Sequence, residues 1–144
     1  MVILNLIMRW VHLFSAATVI GSAMFLRLVL FPAVLELSDE ARTRLLVNLA
    51  KPFRILVHSA IAGLLLSGLY NTHVLWKTTI HPYFLIYATK VSLAAAIFII
   101  AILLTSSNPT WTAFQADRKK WLTVDLVLVA VLVALSAYLR TLHR

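Results

Sequence analysis

The sequence predicts an all-α membrane protein, a four-helix transmembrane bundle in up-down-up-down order, and three observations carry that expectation. Of 144 residues, 62% are hydrophobic and 12% charged, with a mean hydropathy of +0.93, a balance outside the soluble globular range. Four apolar stretches, roughly residues 4–30, 53–76, 83–105 and 121–139, are each long enough to cross ~30 Å of hydrocarbon, which takes about 20 helical residues. Only short connections remain, so residues 1–144 read as a single transmembrane domain without a soluble catalytic unit.

The first span opens on "MVILNLIMRWVHLF", which lacks the basic start and cleavage site of a signal peptide, so it is expected to stay in the mature protein. Pro32 marks a bend or the end of its regular helix. "SDEAR" reads as a helix start, with Ser38 as cap and acidic residues in the first turn; the second helix then begins near Asp39 and enters the bilayer near Pro52, where a kink is expected. "SSNPTW" is a turn signal closing the third span. Trp10, Trp76, Trp111 and Trp121 fall near span ends, as interfacial anchors do. Ser59, Gly63 and Ser67 recur at every fourth residue of the second span, and Ala17 and Gly21 do so in the first, which predicts close helix packing.

An even number of crossings puts both termini on one side. The first and third connections, around residues 27–54 and 106–120, carry Arg27, Arg42, Arg44, Lys51, Arg54, Arg118, Lys119 and Lys120, against Arg9, Lys77, Arg140 and Arg144 at the termini and the middle connection. The positive-inside bias therefore predicts both connections in the cytoplasm and both termini on the extracytoplasmic side. The net charge of +8 lies mostly at span edges, where it fits lipid headgroups and not nucleic acid. The lipid bilayer is thus the expected partner; a homo-oligomer or a membrane-complex partner stays open. No cysteine is present, which excludes disulfides, thiolate metal sites and iron–sulfur clusters.

Ionisable groups at membrane depth are costly and by default functional. Counting ~1.5 Å of rise per residue from the predicted span edges, His12 and Lys90 share an outer layer, about 10 Å deep, and His58 and Asp125 share an inner one. Each has a second reading. His12 fits an interior histidine bonded to a carbonyl, Lys90 a side chain snorkelling outward, Asp125 a partner of Arg118 or Lys119, and His58 a structural partner of Asp125. His12 and His58 are separated by ~10 Å or more along the membrane normal, too far to share one iron. His12 alone could ligate a haem whose propionate answers Lys90. For copper, Met8 lies four residues before His12 on the same helix face. His73 and His81 flank the short outer connection, where a metal could land, and His143 lies in the tail.

"RWVHLFSAATVIGSAMFLRLVLFPAV", "FRILVHSAIAGLLLSGLYN", "TKVSLAAAIF" and "WLTVDLVLVAVL" together resemble the CopD copper-resistance membrane domain, from about Arg9 to Tyr138. That resemblance implies a four-helix module of a bacterial-type inner (plasma) membrane, associated with copper uptake or transfer, with His12, Lys90 and Asp125 at the matched polar positions. The chain lacks the extra spans and methionine-rich segments of larger CopD proteins. It is also similar, more weakly, to HemJ, a four-helix protoporphyrinogen oxidase that holds haem b, whose histidine on span one and lysine on span three again match His12 and Lys90. The leading expectation is non-enzymatic binding and passage of a transition-metal ion, most of all copper, with metal ligands drawn from His12, Met8, His58 and Asp125. A haem b redox protein, then a haem-dependent oxidoreductase if an enzyme, and a non-catalytic accessory subunit are the alternatives.

Overall fold

A computed structural model describes residues 2–76 and 84–141. Every regular element among them is helical: α1 (Val2–Met24), a π-helical turn (Phe25–Leu30), α2 (Phe31–Leu35), α3 (Asp39–Leu75), α4 (Phe84–Thr105), a 3₁₀ turn (Pro109–Trp111), α5 (Thr112–Ala116) and α6 (Arg118–Thr141). Four helices are long and apolar enough to cross a membrane: Val2–Leu35, Asp39–Val74, Phe84–Thr105 and Arg118–Tyr138.

The first helix runs past Pro32 to Leu35, beyond the end expected near Leu30. A proline inside a helix lacks the N–H for the carbonyl four residues back and its ring crowds that carbonyl. Here the chain widens into a π turn just before the proline, with the Phe31 N–H reaching the Leu26 carbonyl, so the helix continues instead of breaking. The turn to α3 is short. Ser38 caps it as the sequence predicts, accepting from the Ala41 N–H, and Arg42 Nε donates to the Val34 carbonyl at 2.9 Å, closing the end of α2. Asp39 pairs with Arg42 and Glu40 with Arg44 on the surface of the first turns. Pro52 lies inside α3, whose 37 residues form a single helix of about 55 Å at 1.5 Å per residue.

The connection after α4 is more structured than a turn. Asn108 caps the 3₁₀ turn, and α5 follows. Gln115 Nε2 donates to the carbonyls of Leu103 and Ser106, and an Arg118 terminal nitrogen donates to the Leu104 carbonyl at 3.0 Å. Together they satisfy the orphan acceptors at the α4 C-terminus, where a cation also suits the helix dipole. Trp121 stacks on Phe114 at 4.3 Å, half-buried, while Trp10 is exposed.

α1 packs along α3 and α4 along α6, while α1 with α6 and α3 with α4 join these two pairs. One apolar core links Val19 to Val57, Ala60 and Ile61, with Phe98 and Ala101 against it; a second links Ile100, Leu104 and Leu122. Leu6, Leu13, Phe14, Leu65, Leu66, Leu69 and Leu85 are exposed, as suits side chains that meet lipid.

Gly63 sets how near α1 comes to α3. A methyl built there would collide with Ser15 Oγ and lie 3.6 Å from Val11 Cγ1, whereas one at Gly21 would meet nothing within 4 Å. Gly63→Ala is therefore expected to destabilise the protein by about 1–3 kcal/mol, as overpacking does. Chemical unfolding in detergent measures this. Ser15→Gly in the same chain should recover most of the loss, and Gly21→Ala should change little.

Candidate functional site

Contacts between α1 and α3 progress in opposite directions along the two helices. Tyr70 Oη donates to Asn5 Oδ1 at 2.6 Å, His12 Nδ1 meets Ser67 Oγ at 2.9 Å, Ser15 faces Gly63, and Val19 joins Ala60. His12 thereby lies opposite the most deeply buried hydroxyl of the pair, Ser67, which is 0% exposed.

The hydrogen bonds fix the proton on the neutral His12 ring. A serine hydroxyl has one proton to give. Ser67 Oγ directs it to the Gly63 carbonyl, at 2.6 Å, with Leu64 O at 3.3 Å as a second acceptor. Toward His12 the Ser67 oxygen is therefore an acceptor, so Nδ1 carries the hydrogen and Nε2 keeps its lone pair. This is the arrangement of a ligating histidine, whose other nitrogen is held by a polar neighbour. Nε2 makes no hydrogen bond among the described residues.

Lys90 is half-buried on α4. Among the described residues it has neither an ion pair nor a hydrogen bond. One turn earlier on α4, Tyr87 shares a hydrogen bond with Thr72 of α3. Thr72 gives its proton to the Gly68 carbonyl at 2.7 Å, so Tyr87 is the donor. Met8 is half-buried, one turn before His12.

The inner layer is not assembled as the sequence suggests. His58 Nδ1 bonds the Arg54 carbonyl, at 2.8 Å, on its own helix. A carbonyl only accepts, so His58 too carries its proton on Nδ1. No hydrogen bond or ion pair joins it to Asp125 among the described residues. An acceptor one turn back on α3 holds the Nδ1–H, and Nε2 has no hydrogen bond among the described residues. Asp125 is 2% exposed and its Oδ1 has no partner. Arg118, offered by the sequence as its counter-ion, caps α4 instead.

Among the described residues no three His, Cys, Asp or Glu side chains come together as a metal-binding group. Since His12 sits opposite Ser67, nine residues from His58 on α3, the two histidines are about 13 Å apart in helix rise. His73 is exposed; His81 and His143 lie outside the described residues.

Asn5, Ser67, Tyr70, Thr72 and Tyr87 belong to this polar region and were not predicted as its members. Ser67 was visible in the sequence only as part of a small-residue stripe, and Tyr87 only by standing three residues before Lys90. Comparison with protein-family models, curated proteins and solved structures finds no match for this chain.

Ser67→Ala removes the acceptor of His12 Nδ1–H and leaves a donor unpaired, an expected cost of about 1–3 kcal/mol. Nitrogen-15 spectra of ring-labelled protein should show one dominant His12 tautomer in the unaltered chain and a mixture in the variant.

Proposed function

We propose that the protein holds a haem b group in the membrane through His12 and serves one-electron chemistry. The observation that carries this is the His12 ring itself, whose Nδ1–H is held by Ser67 so that Nε2 is left as a free donor. Lys90, half-buried on α4 and expected from the sequence in the same layer as His12, then separates the candidate ligands. A bare copper ion beside an ammonium group meets like charge and has no cluster of protein ligands to offset it. Haem brings its own four equatorial nitrogens, asks the protein for one imidazole, and carries propionates that a lysine can answer. When bound, haem supplies the ferrous–ferric couple; the chain's own part is to present Nε2, fix the ring through Ser67 and offer a cation at Lys90.

Copper handling of the CopD type is the second reading. It is favoured by Met8, which adds a soft sulfur on the helix face that carries His12. Both readings use His12, in keeping with the resemblance to CopD and HemJ. They also share a topology: four crossings in alternating directions of a bacterial-type inner membrane, with the turns around residues 36–38 and 106–117 in the cytoplasm and the termini outside. The Arg and Lys residues on the helix ends that flank those turns support that orientation.

Purified protein is expected to be red, with a Soret band that His12→Ala abolishes while the variant still inserts. Lys90→Met should retain the band but weaken haem binding about tenfold or more, the scale of a lost charge-assisted contact. A colourless protein with stoichiometric copper would instead favour the metal-ion reading, and neither ligand would leave a helix-holding role. Because the chain has no cysteine of its own, Ser38→Cys and Val2→Cys each report one site. An impermeant thiol reagent applied to intact cells should label the second and spare the first.

A further inference from the structure

Asp125 raises a question separate from that of His12. It lies on α6 between Leu122 and Val129, and these three residues, spaced three and four apart, are all buried, while Val127, Val131 and Val133 are exposed. The carboxyl is thus on the face of α6 that looks into the protein. It is 2% exposed, Oδ1 has no hydrogen-bond partner, and no cation forms an ion pair with it among the described residues.

The charged and titratable groups around it do not supply a counter-ion. On α4, the segment from Val91 to Thr105 has no titratable side chain, and on α1 neither does the segment from Leu13 to Met24. Arg27, on the π turn that packs against α6, directs Nε to Thr123 Oγ1 at 3.0 Å. Arg118 and Lys119 lie nearer the start of α6, with Arg118 turned to the α4 carboxyl end. From α3, Arg54 and His58 are the ionisable groups nearest in level, and His58 bonds its own helix.

A carboxylate in such surroundings has three outcomes: a paired ion, a bound metal cation or a bound proton. The pair is absent. A hard cation takes six or more oxygens, and among the described residues Asp125 belongs to no group of three or more His, Cys, Asp or Glu side chains that could hold a metal ion. Protonation alone removes the charge without any further ligand.

We propose that Asp125 is a proton-binding site inside the membrane, taking up one proton as a neutral carboxyl and releasing it as a carboxylate. Arg118 lies on the same face, seven residues earlier, about 10 Å by helix rise. Its Nε is buried without a partner and faces the same interior. This assignment does not depend on what His12 binds.

Dicyclohexylcarbodiimide is the probe. This apolar reagent takes the proton of a buried carboxyl, the resulting carboxylate adds to its central carbon as an O-acylisourea, and, where no water or nucleophile intervenes, the acyl group moves from that oxygen to the neighbouring nitrogen, leaving a stable N-acylurea. Membranes containing the full-length protein should acquire one adduct, located by mass spectrometry to the α6 peptide, with a rate that falls as pH rises. Asp125→Asn should abolish the adduct yet insert and unfold like the unaltered protein, since it replaces a neutral carboxyl by a neutral amide of the same shape. Absence of the adduct at acidic pH, its persistence in Asp125→Asn, or protection by millimolar sodium or copper at fixed pH would each overturn the assignment. A variant that fails to insert would leave the adduct site and its pH dependence in the unaltered protein to decide the matter. Infrared difference spectra on acidification supply a second readout, and a protonated-carboxyl band that is absent from Asp125→Asn is the expected result.

Discussion

The close approach of α1 and α3 at Gly63 and Ser15 is the constraint on which the polar interior rests. No room exists there for a side chain on Gly63, and that contact sets the level at which His12 meets Ser67. Within lipid, apolar side chains gain little by leaving the hydrocarbon for one another, so small residues that bring backbones together carry much of the specificity. Gly63 acts twice: it lets α1 in, and its carbonyl takes the Ser67 proton. The orientation of the His12 ring is therefore a consequence of backbone packing, several bonds removed from the imidazole.

Backbone satisfaction shapes the other end of the molecule. Pro32 would end a regular helix, yet a π turn absorbs it and carries Arg27 to Thr123 on α6. Gln115 and Arg118 close the carbonyls at the end of α4. Each device meets the same need, since an unpaired peptide group near hydrocarbon costs more than it does in water. The basic residues at these turns consequently have structural partners as well as a bearing on orientation.

The two layers of buried polar groups differ in how far the protein satisfies them. Around His12 the ring Nδ1–H, the Ser67 and Thr72 hydroxyls and Tyr87 all have partners, and the open groups are the Nε2 lone pair and the Lys90 ammonium. Around Asp125 the reverse holds: a carboxyl oxygen and a guanidinium nitrogen are both without partners. A well-held ring with one open position suits a resident ligand, whereas a carboxyl with nothing fixed to it suits a group that changes its protonation. An electron carrier in one layer and a proton acceptor in the other would let charge move through the bundle in compensated steps.

Four apolar runs, the cap at Ser38 and the turn at "SSNPTW" were legible in the sequence because each depends on hydropathy or on local backbone chemistry within a few residues. The presence of His12, Lys90, His58 and Asp125 on the four long apolar helices was legible for the same reason. What each side chain faces was not legible. Ser67 read as packing because a serine in a small-residue stripe looks the same whether it fills space or orients a ring. The pairing of His58 with Asp125 was expected from equal depth, but depth says nothing about rotation about the helix axis, and an acceptor one turn back took the imidazole first. The sequence by itself thus determined the helices and the level of each charge within them. Only the tertiary structure decided partners, because a partner depends on which faces of two helices meet and how closely their backbones approach.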